Sequence, residues 1–241
     1  LSQYGLLSGM AMPMLFFPSS LLSSFASLLI PKIAKERELG HGRSVAHITG
    51  KAVGMALAFG MFFAGVFLAF GDSWGQAFYH SGAAGTYLRV LAPLAPLIYL
   101  DVVVDSLLKG LDEQFNSMKY NFADSLLRVT LVLCLLRFFG MESYVAILFS
   151  STIFNASLSL HRLLKVTGVC LSLWRHGALP LLCAVFSVAC AWGAFHNVSN
   201  PLLAAGAGTA LAAGIFAPLY FLLCKDSSPE QKKAGPQRTS T

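Results

Sequence analysis

Three long stretches of this 241-residue chain contain no charged side chain. They run from Leu1 to Pro31, from Ala52 to Gly71 and from Gly177 to Cys224. A hydrocarbon core about 30 Å thick needs about 20 apolar helical residues to cross it, and each stretch reaches that length. Runs this long cannot be the alternating strands of a membrane barrel. The sequence therefore predicts an all-α, polytopic integral membrane helix bundle.

The composition excludes an ordinary soluble domain. Apolar residues make up 56% of the chain and charged residues only 12%, whereas soluble domains have roughly 45–50% and about 25%. Hydropathy along the chain predicts seven spans, at residues 4–30, 52–71, 88–108, 122–137, 143–160, 178–195 and 201–223. Because the chain starts with Leu1 and the first span begins almost at once, we expect the sequence to lack its natural beginning.

The basic residues predict an orientation for these spans. Fourteen of the 17 Lys and Arg residues lie in the loops after the first, third and fifth spans and in the tail. The positive-inside rule then places these loops and the C-terminus in the cytoplasm and the N-terminus outside. It also accounts for the net charge of +6, so we expect membrane lipids, and no nucleic acid, as partners.

Two segments lie outside the predicted spans. Residues 161–177 alternate apolar and basic side chains at helical spacing, which predicts a linker helix in the cytoplasmic interface, with a plain linker as the alternative. Residues 225–241 are rich in Lys, Gln, Ser, Pro and Thr and predict a disordered cytoplasmic tail.

Four charged residues inside the predicted spans are the candidates for a substrate or ion pathway: Asp101, Asp105, Asp124 and Arg128. Each charge at that depth costs at least about 2.5–3.5 kcal/mol unless it is paired or wetted. At about 1.5 Å per residue, Asp101 and Arg128 both lie roughly 11–12 Å from the loop between their spans, so we expect them to pair. The pair could be static, or it could face a watery cavity.

Four prolines interrupt the first and third spans and are hinge candidates: Pro13, Pro18, Pro93 and Pro96. Broken helices form the moving elements of many transporters. Proline is also commoner in membrane helices generally, and both interpretations stay open.

No catalytic motif is present. The chain has no His-Glu-x-x-His, Gly-x-Ser-x-Gly or nucleotide-binding P-loop sequence. The five cysteines show no metal-binding spacing and are expected to be packing residues. We therefore expect no enzyme activity, no metal and no cofactor.

Several segments resemble the stage V sporulation protein B family. They are Gly9–Ser24, Leu28–Ile33, Tyr87–Asp101, Asp105–Asn121, Asp124–Arg128 and Ile153–Thr167. The resemblance implies a polysaccharide-type transporter with fourteen spans in two lobes. The seven spans predicted here would then be the C-terminal lobe, and the N-terminal lobe would be missing.

The resemblance also implies a function. It predicts a flippase that moves a lipid-linked cell-wall oligosaccharide, of the undecaprenyl-pyrophosphate type, across the cytoplasmic membrane. Arg128 would suit the pyrophosphate electrostatically. The alternatives are a cation-coupled antiporter that uses Asp101 and Asp105, a non-transporting sporulation scaffold and, more distantly, an intramembrane glycosyltransferase.

Overall fold

The computed structural model describes residues 2–139, 141–169, 177–195 and 200–226, and within these ranges every regular element is a helix. The α-helices are α1 (Ser2–Leu6), α2 (Met12–Glu38), α3 (Gly42–Tyr79), α4 (Gly82–Leu91), α5 (Ala95–Gly110), α6 (Gln114–Phe139), α7 (Met141–Thr167), α8 (Leu179–Phe195) and α9 (Pro201–Asp226). A π-helical turn joins α1 to α2, and a 3-10 turn joins α4 to α5. The described residues thus form seven helical rods, which confirms a helical membrane bundle.

Five of these rods are long and apolar enough to cross a membrane: Tyr4–Glu38, Gly42–Tyr79, Gly82–Gly110, Ser143–Thr167 and Pro201–Leu222. Helix α8 is apolar but has only 17 residues. Helix α6 falls short in apolar character because it contains Lys119, Asp124, Arg128 and Arg137. The seven-span count therefore stays a prediction for α6 and α8.

The helices extend well beyond the predicted spans at the basic end of the bundle. Helix α3 has 38 residues, or about 57 Å of helix, against about 30 Å of hydrocarbon. Only residues 39–41 separate α2 from α3, and Gly40 makes that turn with a φ of 71°. An apolar run indicates which part of a helix lipid can cover, but it does not end the helix, and α2 and α3 continue through charged residues such as Lys35 and Arg43.

The first part of the linker helix predicted for residues 161–177 is helical, and it belongs to helix α7. Helix α7 continues without a break through Thr167 and stops at Gly168, whose φ of 64° suits a helix end. Residues 170–176 lie outside the described residues. Helix α9 runs on to Asp226, and the rest of the predicted disordered tail also lies outside them.

Helix α3 lies at the centre of the bundle, against α4 and α5 on one side and α8 and α9 on the other. The approach to α5 is very close, because a Cβ atom added to Gly60 would lie 2.5 Å from the Cα of Pro96. Helix α2 packs on α5, where the fully buried Tyr99 donates a hydrogen bond of 2.8 Å to the Leu15 carbonyl. The buried residues around these contacts form a mainly apolar core.

Three of the four hinge candidates lie at or next to the irregular turns, and the fourth, Pro18, lies within α2. Pro13 follows the π-helical turn Leu7–Ala11, and Pro18 is buried inside α2. Pro93 lies in the 3-10 turn, and Pro96 is in the first turn of α5. The Tyr99 hydrogen bond and the Gly60 contact fasten both regions to their neighbours, and hinge motion there remains a prediction.

Candidate functional site

The junction of α5, α6 and α7 is polar, in contrast to the core around α3. Ten side chains line it, and we call them the polar seam: Asp101, Asp105 and Lys109 on α5, Ser117, Asn121, Asp124 and Arg128 on α6, and Ser151, Asn155 and Ser159 on α7. On each helix they recur every three or four residues, so they share one face.

Helix α6 is amphipathic because of this arrangement. Six of its large apolar side chains are 57–72% exposed: Phe115, Met118, Phe122, Leu126, Val129 and Leu133. They also recur every three or four residues, but on the face away from the seam. Two of the charges that lower the hydropathy of α6, Asp124 and Arg128, lie on the seam face, whereas Lys119 is exposed, with its Nζ 4.5 Å from the centre of the Phe115 ring.

One closed cluster joins α6 to α7. The Arg128 guanidinium donates to Asp124 Oδ2 through Nη2 at 3.0 Å and to Ser151 Oγ through Nε at 3.0 Å. The Ser151 hydroxyl in turn donates to Asp124 Oδ1. Asp124 is 6% exposed and Ser151 is fully buried, whereas the Arg128 side chain is 44% exposed. The cluster thus holds a buried carboxylate beneath a guanidinium that reaches the protein surface.

A second cluster joins all three helices. The Asn155 amide donates from Nδ2 to Asp101 Oδ2 at 2.9 Å and to Asn121 Oδ1 at 3.3 Å. Asn121 donates to Ser117 Oγ at 3.5 Å, and Ser117 donates to Asp105. Hydrogen bonds therefore run without a break from Asp101 to Asp105.

The seam ends at the turn between α5 and α6. Lys109 Nζ lies 3.4 Å from Asp105 Oδ2. Beyond it, Arg162 on α7 contacts Glu113 in the turn, with Nη2 2.7 Å from Oε2. The Arg162 hydrogen bond, followed by that of Asn116, favours the ionised carboxylate and lowers the pKa of Glu113 below its ordinary value. This ion pair fastens the end of α7 to the α5–α6 turn.

The predicted pairing of Asp101 with Arg128 is wrong. Arg128 pairs with Asp124 on its own helix, and Asp101 accepts from Asn155. Equal depth in a hairpin is not sufficient for contact, because α6 lies chiefly against α7 and touches α5 little. The sequence reasoning also missed Ser117, Asn121 and three residues of α7. Their signal is a set of polar residues four apart inside an apolar helix: Ser151, Asn155 and Ser159.

The charges of the seam are unevenly compensated. Asp124 pairs with Arg128, and Asp105 pairs with Lys109. Asp101 has no cationic partner among the described residues, and the buried Oδ1 of Asn155 has no hydrogen-bond partner there. These two groups offer oxygen atoms that could take a proton or a small cation. In the described part of the chain, no group of three His, Cys, Asp or Glu side chains is placed to hold a metal ion.

A large apolar cavity lies elsewhere in the bundle, between α2, α3 and α9. Its volume is about 610 Å³. Aromatic side chains form much of its wall, among them Phe17, Phe62, Phe67 and Phe78. Pro13 and Pro18 also line it, so the irregular start of α2 borders the cavity. A hydrocarbon chain is the kind of ligand that such a wall favours.

Comparison with known proteins gives one partial similarity. The chain is 26% identical over 133 residues to "Stage V sporulation protein B" from Bacillus subtilis (strain 168). The aligned part covers 55% of this chain but only 26% of that protein, so the similarity spans about a quarter of the relative's length. No family model and no solved structure matches the chain. The similarity supports the resemblance noted in the sequence and, together with the apolar helices, a membrane protein.

Proposed function

We propose that this chain is one lobe of a membrane transporter that moves a lipid-linked cell-wall or polysaccharide precursor across the cytoplasmic membrane. The observation that carries the proposal is the polar seam. Burial of charge and amide groups between apolar helices is costly, and such groups are a functional-site hypothesis by default in a membrane protein. The similarity to a sporulation protein favours a role in the spore envelope, with formation of the spore cortex as one setting.

Two features of the bundle suit an amphipathic substrate of the undecaprenyl-pyrophosphate type. The exposed part of Arg128 offers guanidinium donors, which bind phosphate oxygens in a bidentate geometry. The apolar cavity of about 610 Å³ between α2, α3 and α9 suits a hydrocarbon tail. The head and the tail of one molecule could thus be recognised by different parts of the lobe.

We also propose that this lobe acts together with a second lobe, that it lies in the cell membrane and that it has no enzyme activity. The resemblance implies fourteen spans, and alternating access needs two halves that move against each other. We therefore expect this lobe to act with an N-terminal lobe of the same transporter. The basic ends of α2, α3, α5 and α7 favour a multi-pass cell-membrane protein with these ends, and the C-terminus, in the cytoplasm.

Depletion of the protein in cells that make lipid-linked oligosaccharide tests the proposal. We expect the lipid-linked sugar to accumulate on the cytoplasmic leaflet, as measured by its accessibility to impermeant enzymes in right-side-out and inverted vesicles. Re-expression of the wild-type protein should restore the distribution. An unchanged distribution after full depletion would contradict flippase function.

A second candidate is a cation-coupled antiporter for drugs or other solutes, and Asp101 is the observation that favours it. This carboxylate lies at the centre of the seam without a cationic partner among the described residues. A proton or a small cation could therefore bind there. Drug sensitivity after depletion, with a normal distribution of lipid-linked sugar, would favour this candidate over the flippase.

A further inference from the structure

An exposed ion pair lies at the end of the bundle opposite the basic loops. Arg89 Nη1 on α4 is 2.7 Å from Asp72 Oδ2 on α3, and their side chains are 42% and 47% exposed. The two helices touch through glycine at this level. A Cβ added to Gly85 would lie 2.6 Å from the Cα of Asp72, and one added to Gly71 would lie 2.8 Å from Cγ of Arg89. The pair is therefore displayed on a rigid hairpin.

An open groove of about 440 Å³ begins beside this pair and runs between α3, α4 and α8. Its walls are apolar and include Leu68, Val185 and Ala189, while Arg89 and Trp192 are its polar members. These walls belong to the apolar parts of their helices. In a bilayer, the groove therefore opens toward lipid.

The polar members lie toward the end of the bundle, and most of the apolar walls, such as Leu68, Val185 and Gly65, lie deeper. Trp192 is three residues from the end of α8, and Arg89 is seven residues from the start of α4, which is about 5 Å and about 10 Å along the helices. Gly65, at the far end of the groove, is about 21 Å from the end of α3. The groove thus runs from the depth of lipid headgroups, where Trp is enriched, into the hydrocarbon.

We propose that this groove binds a zwitterionic phospholipid such as phosphatidylethanolamine. One acyl chain lies along the apolar walls, the phosphate contacts Arg89 and the ammonium group contacts Asp72. Arg89 has donors to spare, because a guanidinium carries five N–H groups and the pair with Asp72 uses Nη1.

The charge of the pair selects the headgroup. A half-exposed cation beside a half-exposed anion matches a headgroup that also carries one charge of each sign. An anionic lipid would meet Arg89 and Asp72 together, and the Asp72 carboxylate would repel it. This inference does not depend on the proposed transport function.

Native mass spectrometry of the purified protein in detergent tests the proposal, with phosphatidylethanolamine and phosphatidylglycerol of identical acyl chains added in titration. We expect the wild-type protein to retain phosphatidylethanolamine at lower lipid concentration. Arg89→Gln should weaken that binding about tenfold, because a charge-assisted hydrogen bond is lost. Asp72→Asn should reverse the preference, because a lone guanidinium favours the anionic lipid.

A matched pair of variants on α8 tests the groove itself. Ala189 is exposed in the groove and Cys190 is exposed outside its lining. Ala189→Phe fills the groove and should abolish the lipid preference, while Cys190→Phe should keep it. Because both positions are on the surface, these two variants should fold. They therefore test the proposal even if Arg89→Gln fails to fold. Equal retention of the two lipids by the wild-type protein, or unchanged binding in Ala189→Phe, would overturn the proposal.

Discussion

The contacts of α3 with α4 and α5 differ in kind from those of α6 with α7. Along α3, glycine lets the backbones touch, and no hydrogen-bonded side chain is needed to hold Gly60 against Pro96. Along α6, carboxylate, amide, hydroxyl and guanidinium groups hold the helices together. Both are established ways for helices to associate in lipid, where no hydrophobic drive brings them together. Glycine contacts fix the distance between two helices, whereas polar side chains can exchange hydrogen-bond partners or protons.

This difference assigns two roles within one bundle. The glycine-packed part around α3 is the rigid frame. In the proposed transporter, the polar seam is the part whose interactions change, because its hydrogen bonds can be replaced by those of a substrate, an ion or water. Substitutions should therefore separate the two regions, with large losses of stability in the frame and smaller losses in the seam.

The largest effect is expected at Gly60. Gly60→Ala forces α3 away from Pro96, since the added Cβ meets backbone atoms that cannot rotate aside. Overpacking usually costs roughly 1–3 kcal/mol of unfolding free energy. We expect the loss here to lie at or above the upper end of that range. Unfolding in mixed detergent micelles measures it. Gly206→Ala on α9 is the matched control, because its Cβ would meet nothing within 4 Å. Equal midpoints for the two variants would contradict close packing at Gly60.

The next effect concerns the ion pair of Asp124 and Arg128. Arg128→Gln leaves the Asp124 side chain, which is 9% exposed, without its cation. We expect the free energy of unfolding to fall by about 1–3 kcal/mol. This is less than the cost for a fully buried pair, because the Arg128 side chain is 44% exposed. Adding Asp124→Asn should recover part of it.

A double-mutant cycle in the same unfolding assay measures this coupling. The cycle of Asp101→Asn with Arg128→Gln serves as the comparison and should be additive within about 0.5 kcal/mol. A larger coupling for Asp101 with Arg128 than for Asp124 with Arg128 would show that the seam is paired differently.

Ser151 should have a smaller effect. Ser151→Ala removes the hydroxyl that bridges Arg128 and Asp124, and hydrogen bonds between membrane helices contribute about 0.6–1.7 kcal/mol. We expect a loss in that range in the same micelle assay. The neighbouring Ser150 is exposed and provides the control, for which Ser150→Ala should change little. If Ser150→Ala costs as much as Ser151→Ala, the hydrogen-bonded cluster is not the reason for the loss.

The smallest effect is expected at the end of the seam, where Arg162 contacts Glu113. The pKa of Glu113 is lowered in the folded protein. The ion pair therefore stabilises the fold at pH values above the ordinary pKa of 4.5, and this stabilisation is lost as the pH falls below it. At neutral pH, the unfolding midpoint of the wild-type protein should therefore be slightly higher than that of Glu113→Gln. The difference between the two midpoints should vanish in acid. A difference that grows as the pH falls would contradict the assigned ion pair.

The sequence predicted more of the fold than of the site. Uncharged runs indicated membrane helices because lipid tolerates little else, but they could not indicate helix ends, and α2, α3 and α7 continue beyond the predicted spans. Intramembrane charge identified Asp101, Asp105, Asp124 and Arg128 as members of one region. Their partners depend on which faces of α5, α6 and α7 meet, and depth along a hairpin does not contain that information. The spacing of Ser151, Asn155 and Ser159 would have indicated the missing face.

The measurement that tests the central role of the polar seam most directly is transport by an Asn155→Ala variant. Asn155 joins Asp101 to Asn121, and its loss removes the link between α5 and α6 that runs through α7, while the direct bond from Ser117 to Asp105 remains. In depleted cells re-expressing the variant, we predict normal abundance in the membrane but lipid-linked sugar that stays on the cytoplasmic leaflet. Ser157→Ala, at an exposed position on the same helix, should restore the wild-type distribution. Full restoration by Asn155→Ala at normal abundance would contradict a working role for the seam.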